Sequence, residues 1–500
     1  MTVNIDSSTV HPTFDAAEER PGKPVAQEPQ SHALVVDLDG TLVKTDLLLE
    51  SLFLLLRRKP LYLFLVPVWL VLGKASFKQK ISQRVLLDVH AIPYREDLLD
   101  YLRCQRTAGR ILVLATAADA QYARQIADHL KLFDLIFASD GKVNLTGTSK
   151  RDRLVREFGE KGFDYAGNGQ CDRVVWSSAH KAIVVDPGLL ARSKLDKMAE
   201  VERVFPGKNN GVLEHLQALR PQHWLKNLLL FVPLFAAHRV HEIGLFEILA
   251  VAFIAFGCCA SSGYLLNDLF DLTADRHHPR KRLRPFASGD LKLSYALVMI
   301  TVLLSLAGIL GAIISPLFVV ALASYFVLSV TYSLFVKNIV LLDVILLALL
   351  YALRIMAGSA AVSIPPSYWL LAFSTFLFFS LALVKRYGEL ATMRNIEGDT
   401  AKARAYESSD GELLAAMGTA SGYLSVLVLA LYIITGTAQH LYERYQFMWL
   451  VCPLLFYWIS HVWLTAHRGK MHDDPVVFAI RDRTSRILLF SMLAVTLVAL

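Results

Sequence analysis

Five hundred residues, 54% of them hydrophobic, make a chain too apolar for an ordinary soluble protein. The formal charge of +7 calls for no nucleic acid, because loops beside anionic lipid and phosphate substrates account for it. Five cysteines show no CxxC pair and no zinc spacing, which fits reduced thiols in a cytosolic and membrane setting.

Residues 1–31 are polar and read as a disordered tail without the marks of a secretory signal, so the first half is expected in the cytosol. Ala33 to Val36 form a short apolar run that leads into Asp37-Leu38-Asp39-Gly40-Thr41. A greasy helical insert follows at about 45–95, where LLLESLFLLL (47–56) and LYLFLVPVWLVLG (61–73) flank Arg57, Arg58 and Lys59. Each run is short for a membrane span, and a basic, Trp-bearing hairpin lying in the bilayer surface explains the composition better than a buried cap alone. ILVLAT from Ile111 is the next strand-like run, and residues 191–220 read as a linker with amphipathic helices.

The strand-then-DxDGT arrangement resembles the haloacid dehalogenase-type phosphatases over about residues 32–190. The resemblance implies an α/β Rossmann-like domain with a helical cap at about 45–95. It makes Asp37 the nucleophile that forms an aspartyl-phosphate and Asp39, pointing the same way, the shuttle for the leaving-group proton. Thr116 would bond a phosphate oxygen and Lys150 would neutralise the transferred charge. Asp172 would complete a magnesium site with Asp37 and the Asp39 backbone carbonyl. Where the family has GDxxxD, this chain has Gly167, Asn168 and Asp172, so an amide replaces one carboxylate and a weak or inactive phosphatase stays open.

From about Trp224 to Leu500 apolar runs alternate with charged loops, the pattern of a polytopic all-α membrane bundle occupying 221–500. The expected spans, about nine, are 222–238, 246–267, 292–312, 316–336, 339–358, 367–385, 415–436, 446–466 and 486–500, the first and last short. Loops at 268–291, 337–338, 386–414 and 467–485 hold nearly all the Lys and Arg between spans. They are therefore expected on the cytoplasmic side of a bacterial inner membrane, with the N-terminal domain and both active sites.

Within 267–289, Asp268, Asp271 and Asp275 fall at helical offsets of three and four, with Asn267 one turn before Asp271. Carboxylates crowded on one face need a cation among them. Magnesium suits, since it takes oxygen ligands and bridges a few carboxylates to phosphates. Four spans later KRYGELATMR (385–394) closes the sixth span, and this spacing hints at two similar halves converging on one cavity. In the last charged loop, Asp473, Asp474, Arg481 and Asp482 read as loop solvation.

The NDxxDxxxD run, followed by HPRKRLRP and ASG, resembles the first aspartate-rich motif of the UbiA-type intramembrane prenyltransferase superfamily over about 215–500. That implies a magnesium and diphosphate site on Asn267, Asp268, Asp271 and Asp275, surrounded by Arg276, Lys281, Arg282 and Arg284. Typical members carry a second aspartate-rich motif after the sixth span, whereas here stand Lys385, Arg386, Tyr387, Gly388 and Glu389. Lys and Arg suit direct contact with phosphate oxygens. With the RPxxWxKN start at Arg220 to Asn227, in which Lys226 and Asn227 are phosphate-contact candidates, this resembles the decaprenyl-phosphate phosphoribosyltransferase branch. Phosphoribosyl diphosphate is then the implied donor and a polyprenyl phosphate the acceptor. Tyr387 is either an interfacial aromatic or a substrate contact. The alternative is prenyl transfer from a polyprenyl diphosphate to an aromatic, 4-hydroxybenzoate-like acceptor. A transporter would instead place ionisable groups at mid-depth, and a mere anchor needs no metal-spaced aspartates. If the bundle makes a phosphoribosylated lipid, the fused phosphatase would remove its terminal phosphate.

Overall fold

The computed structural model describes residues 32–187, 200–207, 211–397, 402–403, 405–435, 441–471 and 474–500. The expected polar tail lies outside them, as do residues 191–199 and 208–210 of the expected linker.

The first half is built on a six-stranded parallel sheet of β1 (Ala33–Val36), β2 (Leu112–Asp119), β3 (Leu135–Ser139), β4 (Phe163–Gly167), β5 (Lys181–Val185) and β6 (Glu200–Phe205), in the order β3-β2-β1-β4-β5-β6. Central β1 is apolar throughout because both sheet faces are covered. Leu34 and Val36 join one apolar cluster and Ala33 and Val35 the other, as alternation along a strand requires. The parallel register, Val36 opposite Leu114 and Ala166, brings the C-terminal ends of β1, β2 and β4 to one edge. Strand β6 corrects the reading of 191–220 as a helical linker. EVERVF pairs with β5 at the sheet edge, where solvent accepts its charges, and one helix, Val212–Leu219, follows.

The insert after β1 opens with α1 (Leu47–Arg58), capped by Asp46, whose side chain accepts the Leu49 amide at 3.0 Å. Its residues are apolar on several sides because three bodies pack on it. Leu47 faces the sheet domain, Leu55 faces Trp69 and Phe77, and Phe53 and Leu56 face Leu265, Leu269 and Phe270 of the second half. Beyond α1, the short turns Pro60–Phe64 and Val66–Val71 turn Tyr62 and Trp69 inward and leave Leu61, Phe64 and Val71 exposed at 75%, 76% and 88%. Tyr62 and Val66 pack in the same cluster as Met299 and Ile300, so this greasy surface continues the flank of a long apolar helix.

Among the described residues, seven helices are long and apolar enough to cross a membrane: Ile243–Phe270, Leu293–Ile314, Pro316–Leu334, Leu342–Val362, Tyr368–Arg394, Ser408–Ile434 and Tyr445–His467. The expectation of about nine differs at both ends. Residues 221–236 form a 3-10 segment, Pro221–Phe231, which buries Lys226, Asn227 and Leu230, and a short helix, Val232–Ala236, with Pro233 in its first turn. This segment enters the bundle interior. A Cβ at Gly358 would lie 2.0 Å from the Leu230 carbonyl oxygen, so only glycine lets the Leu342–Val362 helix approach so closely. The last helix, Arg483–Ala499, has 17 residues, short of a full hydrocarbon thickness of about 20. Two apolar cores share the Leu342–Val362 helix, one around Phe256 and Ala357 and the other around Val344 and Trp463.

Candidate active sites

At the C-terminal edge of the sheet, Asp37, Asp39, Asp46, Asp119 and Asp172 line a cavity of about 330 Å³ with Lys78 and Lys150. Gly40 turns the chain there with φ of +74°, and a Cβ would lie 2.1 Å from the Asn168 amide nitrogen, which explains the glycine of DxDGT. Lys150 Nζ donates to Asp37 at 2.7 Å and to Tyr165 at 3.0 Å, and lies 4.0 Å from Asp172. Burial pushes the Asp37 carboxyl up, against the pull of Lys150. Burial, then the neighbouring Asp46, pushes Asp39 to about 8, so it carries a proton at neutral pH although it accepts the Leu47 amide at 2.9 Å. Asp172 accepts from Tyr165 at 2.7 Å and from the Asn168 and Gly169 amides at 3.0 and 2.8 Å.

Two features of this site depart from expectation. Thr116 is fully buried, and its hydroxyl accepts the Ala118 amide at 2.9 Å while Ala117 and Ala118 line the cavity in its place. Lys78, not foreseen, comes from the helical insert, donates to the Ala117 carbonyl at 2.7 Å and supplies a second cation. The carboxylates of Asp37 and Asp172 beside the Asp39 backbone form an oxygen-rich donor set that fits a magnesium ion.

In the second half, the helix Ile243–Phe270 ends at Asp271, and Leu272–His277 continues after a change of backbone at Asp271 (φ −98°, ψ 8°). Asp268 and Asp275 share Arg284, whose Nη1 lies 3.2 Å from the first and 2.5 Å from the second, and Arg220 also binds Asp268. Arg220 holds this position with a left-handed backbone, φ 52°. Asp271 turns to Lys337 at 2.6 Å and Arg57 at 3.2 Å. The common ridge of three carboxylates is thus split into a pair and a neighbour. Among the described residues, the three-ligand cluster within 4.8 Å is His32, Asp164 and His180, not these aspartates. A guanidinium occupies the space between Asp268 and Asp275, so a magnesium ion would be held by one or two of these carboxylates together with phosphate oxygens only with Arg284 displaced from between them. Burial raises the Asp275 carboxyl against the pull of Arg284, and Asp268 adds to the rise.

The surrounding cations divide. Arg276 is committed to Glu50 of the first half through two contacts of 2.5 and 3.0 Å and donates to the Ala287 carbonyl, so it is an interface residue. Lys281 and Arg282 lie exposed on the turn Lys281–Leu283. Asn267 is half-buried and its carbonyl accepts the Asp271 amide at 3.0 Å.

The second polar cluster needs the largest revision. Lys385 lies 3.3 Å and Lys226 2.7 Å from Oδ2 of Asp474, to which the Tyr351 hydroxyl donates at 3.1 Å. Asp474 is therefore no solvated loop residue. Burial works to raise its carboxyl, yet the two lysines overcome burial and hold it well below the carboxylate range. Asp473 lies outside the described residues, whereas Asp482 caps Arg483–Ala499 by accepting the Ser485 amide at 2.7 Å. Arg386, one residue along and about 100° around the helix, is fully buried on Asp343, Glu389 and Tyr332, so its donors are consumed within the fold. Glu389 is one of its partners, 2.6 Å from Nη1. Tyr387 bonds His467 at 2.8 Å beside Trp463, a packing role. Asn227 is fully buried and accepts from Arg354 at 3.3 Å. Removing Arg386 should leave Asp343 as an uncompensated buried charge. Arg386→Met is expected to cost about 3 kcal/mol of stability, read as a lowered unfolding midpoint in detergent, with the folded fraction keeping its turnover.

Arg220 on Asp268 and Lys226 on Asp474 lie on one short stretch, which ties the two charged clusters together.

The sequence model of the UbiA prenyltransferase family matches residues 228–495. The protein y4nM of Sinorhizobium fredii is 36% identical over 456 residues, covering 90% of this chain and 88% of its own, and thus aligns with both halves. Nodulation protein NoeC of Azorhizobium caulinodans is 37% identical over 280 residues, covering 56% of this chain and 91% of its own. The decaprenyl-phosphate phosphoribosyltransferase of Mycobacterium tuberculosis is 27% identical over 288 residues, 56% of this chain and 91% of its own.

Proposed function

The chain belongs to the UbiA prenyltransferase family, an integral membrane protein of the transferase class, and from that premise we propose that it transfers phosphoribose from phosphoribosyl diphosphate to a polyprenyl phosphate. The observation that carries this reading is the pair of clusters joined by residues 220–226. One is a carboxylate pair with arginines, and the other is a lysine pair that already holds a buried carboxylate, Asp474, as it would hold a phosphate. Lys226 is buried and Lys385 half-buried, and a pair of cations at one point suits the double charge of a phosphate better than the single carboxylate of an aromatic acid. The likeness to a phosphoribosyltransferase at 27% identity supports the same choice.

In this reading Asp268 and Asp275 hold magnesium with the donor diphosphate, with Asn267 and Asp271 beside them. Bound there, the ion supplies positive charge for the departing diphosphate. Arg220 and Arg284 face the same oxygens and keep their geometry before substrate enters. Lys226 and Lys385 orient the acceptor phosphate, an anionic nucleophile that needs no general base, toward the anomeric carbon. Both sites belong on the cytoplasmic side of a bacterial inner membrane, where the basic loops gather.

The first half is proposed as a haloacid dehalogenase-type phosphatase that removes the terminal phosphate of the lipid product. Asp37 attacks phosphorus and the bond to the ribose oxygen breaks. That oxygen takes the proton held by Asp39, and Lys150 balances the phosphoryl charge; water, giving its proton to Asp39, then attacks the aspartyl-phosphate, so that inorganic phosphate leaves and the Asp37 carboxylate is restored. The parallel sheet, the cavity at its edge and the raised Asp39 support this role. Asn168 turns its amide against Gly40 and lines the cavity, leaving the site one negative charge short of the family pattern.

The exposed apolar turn at 60–73 would bring that cavity to lipid-linked substrate. With the exposed Cys104 and Cys171 first replaced by serine, full-length Phe64→Cys and Val71→Cys should label with an aqueous maleimide far more slowly than Glu96→Cys in lipid nanodiscs, and as fast as Glu96→Cys once unfolded in denaturant. Equal labelling at all three positions in nanodiscs would exclude insertion.

Membranes given labelled phosphoribosyl diphosphate and polyprenyl phosphate, in parallel with an allylic diphosphate and an aromatic acid, test the transferase assignment. Label in lipid from the first pair alone is expected; label from the second pair alone favours aromatic prenyl transfer.

A further inference from the structure

The helix α1 touches both candidate sites. At its start Asp46 and Leu48 line the cavity of the first half, and the Leu47 amide donates to Asp39. At its last turn, about 17 Å along, Arg57 Nη1 lies 3.2 Å from Asp271 Oδ1 and donates to the Phe270 carbonyl at 3.2 Å. Between them Glu50, 3% exposed, grips Arg276 and accepts from Thr45 at 3.0 Å, so the helix is held against the second half by a buried ion pair as well as by Phe53 and Leu56.

We propose that Arg57, a residue of the N-terminal domain, is a positioning residue of the transferase's diphosphate site. The proposal rests on the reading above that this site binds a diphosphate donor. Asp268, Asp271 and Asp275 are met by four cations, Arg220, Arg284, Lys337 and Arg57. Three of these belong to the second half. With Arg57 the cluster carries one positive charge in excess; without it the cluster is neutral. A diphosphate is more negative than the one magnesium ion that accompanies it, so the excess charge favours its entry. Arg57 meets the same oxygen of Asp271, Oδ1, as Lys337 does, and its second hold on the Phe270 carbonyl fixes that carboxylate against the end of the helix. A lone divalent cation has the opposite preference, because the excess positive charge repels it.

The contrast in sign supplies the test. Full-length protein carrying Asp37→Asn, which removes the metal and phosphate site of the first half, is compared in detergent without a further change, with Arg57→Gln and with Arg57→Lys, each checked by its unfolding midpoint. Binding of inorganic diphosphate in the presence of Mg²⁺, and of Mn²⁺ alone by paramagnetic resonance, is measured for each. Arg57→Gln should weaken diphosphate binding about three- to tenfold, the range for a half-exposed charged contact, and leave Mn²⁺ binding unchanged or tighter. Arg57→Lys should recover most of the loss. Unchanged diphosphate affinity in Arg57→Gln, or parallel loss of both ligands, overturns the proposal. Phosphoribosyl diphosphate is titrated alongside: if the protein with Arg57 intact binds inorganic diphosphate but not the sugar, the donor assignment fails while the role of Arg57 is still decided.

Discussion

Asp268→Asn is expected to lower phosphoribosyl transfer by about a thousandfold, the scale of losing one preorganised charge at a departing oxyanion. Asp268 is 4% exposed and receives Arg220 and Arg284 on the same oxygen. Asparagine keeps an acceptor for both guanidinium groups, so the local fold should survive, but the charge that holds the metal ion is gone. Loss should appear in turnover at saturating donor, with the unfolding midpoint within a few degrees of wild type. Activity within tenfold of wild type would place the diphosphate elsewhere. Asp271→Asn should cost less, because Asp271 is turned toward Lys337 and Arg57 and away from the carboxylate pair.

Asp37→Asn should abolish phosphate removal, by about 10⁴-fold or more for loss of an attacking group, while transfer continues. The lipid product should then accumulate with its terminal phosphate. Asp37 is buried beside Lys150, whose remaining carboxylate neighbour is Asp172 at 4.0 Å, so the lysine keeps a partner and the fold should hold. An unchanged product spectrum would separate the two halves functionally and leave the first as a scaffold for α1.

Much of this arrangement was legible in the residues. An apolar run ending in DLDGT marks a buried parallel strand, because alternation disappears when both faces are covered. The aspartate spacing singled out the carboxylates that the fold surrounds with arginines, and RPxxWxKN singled out Lys226, whereas the place of Arg220 on Asp268 was not foreseen. What stayed hidden are pairings across long sequence distances and the direction in which adjacent side chains point. Asp474 lies 248 residues from Lys226 and 89 from Lys385, and its own surroundings, HDDP, look like any solvated turn. Lys385 and Arg386 have the same local chemistry, yet the helix turns one toward Asp474 and the other into a buried ion cluster. Arg57 looked like a basic break between two greasy runs, and only packing of α1 on the second half brings it to Asp271. The stretch 222–238 has the hydropathy of a span, but its 3-10 backbone and the burial of Lys226 and Asn227 make it an inward segment.

The account stands on the two charged clusters acting as donor and acceptor poles of one reaction. The direct measurement is lipid-extractable label from phosphoribosyl diphosphate in membranes bearing wild type, Asp268→Asn or Lys385→Met, with polyprenyl phosphate varied. Wild type should form labelled lipid only with magnesium present, Asp268→Asn should form almost none, and Lys385→Met should need about tenfold more acceptor for the same rate. Wild-type turnover that ignores both substitutions, or an acceptor requirement unmoved by Lys385→Met, would contradict it.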